Sequence, residues 1–436
     1  MRPRLALASA AAALIAALAI SACGDGNDIS EIQAVEADCG SVQYAGSGEA
    51  SKLIVSDLPL KGDSAERSRQ MNAAIVQEMA RKGWQAGSRI QLAFQACDDS
   101  IGSTGEWDEA LCRANAEAYA RNPDVIGVIG TYNSGCAAVQ IPILNRAGIP
   151  MVSPGNTLVC LTETARTCRP EEPDVYYPSS TRNYARVIPN DAVQGAGLAT
   201  FVRDAGVQRP MVLIAADDPT SENQGRSFAG AAQALGMQIA GVEHYDPEAQ
   251  NYTALMETVR SSGADAIVLA SILEQNGAEL IKAKVGALGP NDGPVRLFAF
   301  DGFAQQATID NIGPDSAGMY VSLPGKVPSS LTGQGDVFVK ELRAQLPANP
   351  IEVFAPYAAQ AAEVLIDAIR EGRTRSGAIA EIFGMQVDDG ITGNFTITPT
   401  GDPVPAPISV QRAAGNFALA RTITPPPQLV AAARGG

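Results

Sequence analysis

Two short apolar runs at residues 125–129 and 149–152 each lead into a loop of small polar residues, with a helical stretch between them. Both runs are β-branched and bounded by Gly or Pro, the pattern of strands buried on both faces of a parallel sheet. Parallel strands leave their carboxyl ends on one side, so the two loops open at a common edge. Thr131, Tyr132, Asn133 and Ser134 stand before the helical stretch, where free backbone N–H groups and a hydroxyl can cradle an anion. Ser153, Pro154, Gly155, Asn156 and Thr157 follow the second strand with the same chemistry. Two hydroxyl and amide clusters thus converge where open α/β sheets bind ligands.

The rest of the chain continues the alternation. Strands are expected at 52–57 and 90–95, with helices around 64–82 and 108–121. A polar, Pro-rich excursion at 162–181 precedes a second series, with strands at 211–216, 237–243, 266–271 and 296–300 and helices between them. Repeated βα units predict parallel sheets covered by helices on both faces, and two series predict two lobes. The 436 residues fit two or three domains at about 150 residues each. A net charge of −15 with no basic stripe speaks against a nucleic-acid partner.

The amino terminus reads as an export signal, with Arg2 and Arg4, an apolar Ala-rich run over 5–20 and small residues ahead of Cys23. That run is too short to span a bilayer, and no other stretch is long and apolar enough to do so. The motif Ile20-Ser21-Ala22-Cys23 is similar to the lipobox of bacterial lipoproteins. That similarity implies removal of residues 1–22 and a lipid on Cys23 that holds the protein to a bilayer. Residues 23–50 then read as a flexible tether, and 424–436, with three prolines at 425–427, as a loose tail.

Six further cysteines, Cys39, Cys97, Cys112, Cys136, Cys160 and Cys168, make an even number in an exported chain and favour disulfides. Cys160 and Cys168 flank a short polar loop and are paired first; Cys97 with the nearby Cys112 is one option for the others. A zinc site is the rival reading, but there is no CxxC and His244 is the sole histidine, so no metal or other cofactor is expected.

The combination IGTYNSG followed by IPILNRAGIPMVSPGNT resembles the branched-chain amino-acid binding proteins of ABC importers, two-lobed type I periplasmic binding proteins. SDLPLKG (56–62), RNYARVIPNDAVQGAGLATF (182–201), DAIVLASI (265–272), FAFDG (298–302) and VFAPYAAQAAEVLIDAI (353–369) extend the likeness over most of residues 51–412. The resemblance implies an α/β fold of two doubly wound parallel-sheet lobes joined by a three-crossover hinge. Lobe 1 would hold 51–184 and 303–385, and lobe 2 would hold 185–302 and 386–423. It implies a monomer that captures a small solute, most simply an amino acid, and delivers it to an ABC permease. Ser134 and Thr157, with Gly155 and Asn156, then sit where the ligand carboxylate is held, and Asp301 where its ammonium is met. The resemblance also implies a bridge from Cys97 to Cys136.

Departures from the family pattern bear on the ligand. DDPTSENQG (217–225) stands where an aromatic-Gly motif often closes over the ligand, and Leu273 and Glu274 replace an aromatic stretch. Arg67 stands near a frequent aromatic position of lobe one. Arg67, Glu222 and Glu274 therefore join Tyr132 and Asn133 as candidates around a polar ligand. The same fold also serves ligand-sensing modules and binders of amides, urea or small carboxylates. An exported hydrolase would need a nucleophile with a base; there is no HExxH, GxSxG or Walker A motif, and one His is a poor start, so no enzyme is expected.

Overall fold

The computed structural model describes residues 32–102, 104–346 and 350–436. The signal segment, Cys23 and the first part of the expected tether lie outside the described residues.

The first lobe is built on a six-stranded sheet in the order β2-β3-β1-β4-β5-β6. Its strands are β1 (Lys52–Leu58), β2 (Gln85–Ala86), β3 (Ile90–Asp98), β4 (Val125–Gly130), β5 (Met151–Ser153) and β6 (Tyr184–Arg186). All but the short β2 pair in parallel. Helices α1 (Ala65–Arg81), α2 (Glu109–Arg121) and α3 (Ser134–Arg146) connect them. Every residue of β4 is buried, which explains why its sequence is continuously apolar and not alternating. At Gly127 a Cβ would lie 2.8 Å from Leu365, so glycine is what lets a later helix press onto the sheet.

The second lobe carries a seven-stranded sheet in the order β16-β15-β11-β10-β9-β7-β8. These are β7 (Pro210–Ala215), β8 (Gly241–Tyr245), β9 (Ala266–Ala270), β10 (Arg296–Ala299), β11 (Tyr320–Leu323), β15 (Ile408–Ala413) and β16 (Phe417–Ile423). Helices α4 (Asp191–Asp204), α5 (Pro219–Ala234), α6 (Thr253–Ser262), α7 (Ala278–Leu288) and α8 (Gln306–Ile312) cover it. Asn190 and Asp218 cap α4 and α5 by accepting from Val193 N and Thr220 N.

The chain then returns to the first lobe as α9 (Gln334–Gln345), α10 (Ala355–Gly372) and α11 (Arg375–Ile382), with α10 packed on α1, β4 and β5. A three-stranded antiparallel sheet, β12 (Gln386–Val387), β13 (Phe395–Ile397) and β14 (Pro403–Val404), leads back to β15. Three connections thus link the lobes, as the resemblance implied. The return comes later than expected, after Leu323 and not at 303. The reason is that β11 pairs in parallel with β10 and antiparallel with β15, and α8 packs against α7, which keeps 303–323 in the second lobe.

Both chain-end expectations need correction where the residues are described. Residues 39 and 43 bridge antiparallel to β3, and Val35 is buried, so this part of the tether is an added edge of the first sheet. The tail forms α12 (Pro427–Arg434), which packs across α4 and α5 and buries Leu429 and Ala433. Apolar spacing at 429, 430 and 433 supplies that buried face despite the prolines before it.

Cys160 pairs with Cys168 as expected. The other pairs are Cys39 with Cys97 and Cys112 with Cys136, replacing both the Cys97–Cys136 and the Cys97–Cys112 alternatives. The edge segment lays Cys39 directly opposite Cys97, and packing of α2 on α3 brings Cys112 to Cys136. No described helix is long and apolar enough to cross a membrane.

Candidate functional site

The carboxyl ends of β4 and β5 meet as a pair of interlocked loops. Ser153 Oγ donates to Thr131 O (2.9 Å) and accepts from Gly155 N (3.1 Å) and Asn156 N (2.9 Å). Ser134 Oγ accepts from Thr157 N (3.1 Å) and Leu158 N (3.2 Å). The loop N–H groups at 155–157 are therefore engaged within the protein. With both lone pairs of Ser134 used, its own O–H remains to donate into the cleft. Gly155 is required here, because a Cβ would stand 2.7 Å from the Tyr132 ring.

Asn156 faces inward, donating to Tyr132 O (2.9 Å) and accepting from Tyr184 Oη (3.0 Å), so it braces the loop. Arg186, fully buried at the start of the first crossover, completes that brace. It donates to the carbonyls of Asn156 and Leu158 (both 3.0 Å) and pairs with Asp402 (3.0 Å).

From the second lobe, Asp301 follows β10 and accepts from Gln224 Nε2 (3.1 Å). Burial raises its carboxyl to about 6, against the partly offsetting hydrogen bonds and the Arg67 charge. Asp191, the first residue of α4, is also buried, and both its carboxylate oxygens lack a hydrogen-bond partner. Its carboxyl is pushed well above the usual range by burial first and by the Asp301 charge second. Thr157 and Gln224 lower it in part, although neither makes a hydrogen bond of good geometry to it.

Tyr132, Asn133, Ser134, Gly155, Thr157 and Asp301 line one cleft with Trp107, Asp218 and Gln224, leaving ≈ 30 Å³ for an occupant. That is room for about two or three waters, since each needs about 10–15 Å³. The lobes are closed on each other. Ser64 Oγ donates to Glu274 Oε1 (2.6 Å), the Arg67 guanidinium lies 3.6 Å from the same oxygen, and Gln306 N donates to Glu352 (3.1 Å). Arg67 also stacks 3.8 Å over the Tyr132 ring. Arg67 and Glu274 thus form the cleft's buried edge.

Glu222 is elsewhere. It pairs with Arg226 (2.7 Å) and His244 (2.6 Å) on the outer side of the second lobe, because position 222 on α5 points away from the cleft while Gln224 points in. Among the described residues, the two places where Cys, Asp and Glu side chains converge both centre on disulfides, whose sulfurs offer no thiolate to a metal. A larger cavity of ≈ 500 Å³ between α10 and α11 is bordered by carboxylates and touches neither sheet's carboxyl edge.

The sequence model described as "Periplasmic binding protein" matches residues 64–416. The chain belongs to the periplasmic binding protein family. No curated protein sequence matches it significantly. Among solved structures, a leucine-binding protein from Thermotoga maritima is 20% identical with a TM-score of 0.73, over 86% of this chain and 99% of that one. An R. palustris ABC-transporter solute-binding protein in complex with 4-hydroxybenzoate is 16% identical, TM-score 0.72, over 86% and 98%. A Desulfitobacterium hafniense ABC-transporter substrate-binding protein in complex with Leu is 20% identical, TM-score 0.65, over 84% and 99%.

In this periplasmic binding protein, three contributors were missed from sequence. Asp191 follows Asn190 at a helix start and reads there as ordinary capping. Arg186 is a lone cation in a strand, a signal that could have marked it as buried and paired. Trp107, whose ring packs on Gly135, sits in a polar stretch without periodicity, where a single large aromatic was the available clue.

Proposed function

We propose that this binding protein captures an amino acid between its lobes. Membership of the family implies an extracytoplasmic location, a small-molecule ligand and an ABC permease as partner. The observation that carries the amino-acid reading is the buried Asp301 carboxyl, which lines the same cleft as the Ser134 hydroxyl and the start of α3, with the buried and unpartnered Asp191 carboxyl near enough to feel its charge. An α-carboxylate is suited to the hydroxyl and helix start, and an α-ammonium to the two acids. Because the ligand would contact both lobes only when they close, its binding energy favours closure. No reaction is involved.

Calorimetric titration tests the assignment. Asp301→Asn should weaken an amino acid more than its deaminated analogue, since only the former carries the ammonium. Equal losses for both would remove the amino-acid reading and favour a carboxylate without ammonium, such as the 4-hydroxybenzoate held by the R. palustris protein.

The lipid anchor is part of the same proposal. Cys23→Ala should release matured protein from detergent phases, and unchanged partitioning would count against it.

A further inference from the structure

All three lobe-to-lobe connections border a second cavity of ≈ 320 Å³ that shares no lining residue with the cleft. Val187 and Pro189 come from the first connection, Lys326 from the second, and Phe395, Pro405 and Pro407 from the third. The volume falls in the range of small-molecule sites, whereas the closed cleft is about tenfold smaller. Its wall is largely hydrocarbon, and proline rings hold two sides of it without offering N–H donors.

The cavity holds one cation. Lys326 is half-buried, and its ammonium has neither an ion pair nor a hydrogen bond among the described residues. The Lys326 backbone is fixed, because Tyr357 Oη bonds to both its N–H and its C=O. A fixed backbone, an unpaired ammonium and an apolar wall suit a ligand with a carboxylate at one end and a short hydrocarbon body.

We infer that the hinge carries a second binding site for small amphipathic carboxylates, with Lys326 meeting the carboxylate and Val187, Phe395 and the prolines covering the apolar body. Any change in the angle between the lobes must be absorbed in these three connections. A ligand fitted to the gap between them in this closed form therefore favours that form over the open one. The inference does not depend on what the cleft binds.

Hexanoate is the probe, titrated into the full mature chain by calorimetry and followed by small-angle scattering. Hexanoate is expected to bind saturably, hexanamide about fivefold more weakly, as suits a half-exposed charge pair. Lys326→Gln should bring the two to the same level. Ala406→Phe, which fills the cavity from its wall, should abolish binding of both without touching Lys326. Thr157→Ala, in the cleft, should leave hexanoate binding intact. Absence of saturable binding, or binding lost in Thr157→Ala and kept in Ala406→Phe, would overturn the inference.

Discussion

Arg67 of the first lobe and Glu274 of the second form a buried ion pair 3.6 Å apart across the cleft, with Ser64 hydrogen-bonded to both. Each side chain is only 2% exposed, so each depends on the other for its charge. Glu274→Gln should therefore strand a buried guanidinium and open the lobes, with a loss of about 3 kcal/mol from the closed form. Small-angle scattering should show a larger radius. A second change, Arg67→Met, should restore part of the compactness, because it removes the stranded charge.

Ser134→Ala should lower thermal stability more than Thr157→Ala does. The first leaves the N–H groups of Thr157 and Leu158 without their acceptor, each penalty being about 1–3 kcal/mol for a buried unpaired group. The second leaves that pair of bonds in place. Melting curves of the two variants without ligand separate this loop-holding role from any direct role in binding, and equal melting temperatures would refute it.

Acid should stabilise the ligand-free protein. Burial raises Asp301 to about 6 and Glu78 and Glu352 to about 7, all above the usual carboxylate range near 4. The folded form thus binds protons more tightly than the unfolded chain. The stability so gained is fully present below about pH 4 and is lost as pH rises through 6 to 7. Denaturant midpoints at about pH 5 and pH 8 measure it, and Glu352→Gln with Asp301→Asn should flatten the difference.

Ligand binding should run the other way. An ammonium prefers ionised carboxylates, so affinity for an amino acid should rise as pH increases through about 6 and binding should release protons. Titrations in buffers of different ionisation enthalpy count those protons. No release near pH 6 would mean that Asp301 does not meet the ligand's charge.

The carboxyl-terminal helix should matter for stability. Leu429 is 6% exposed between α4 and α5, so Leu429→Ala should cost about 2 kcal/mol. Thermal melting checks this, and a change below about 0.5 kcal/mol would return the segment to the status of a loose tail.

The strand and loop architecture was legible because β4 and β5 are covered on both faces, which forces a run of apolar residues that ends where the sheet ends. Ser134, Thr157 and Asp301 were legible for the same reason, since each stands just past such a run. Asp191 was not, because an acid at a helix start serves capping and ligand holding with the same local sequence. Nor was the home of β11, since Tyr320–Leu323 would read alike in either lobe and only its partners, β10 and the distant β15, decide. The pairing of Cys39 with Cys97 was not legible, because a segment at a sheet edge needs few apolar residues to mark it.

The closed cleft's ≈ 30 Å³ has a kinetic meaning. A solute of several heavy atoms cannot thread into it, so every encounter must wait for the Arg67–Glu274 edge to part. Uptake is then a gated process: at low concentration its rate follows collisions, and at high concentration it levels off at the opening rate of the protein alone. The measured affinity is likewise diluted by the fraction of time spent shut. A mutation that loosens that edge would raise the fraction of time spent open and so speed capture.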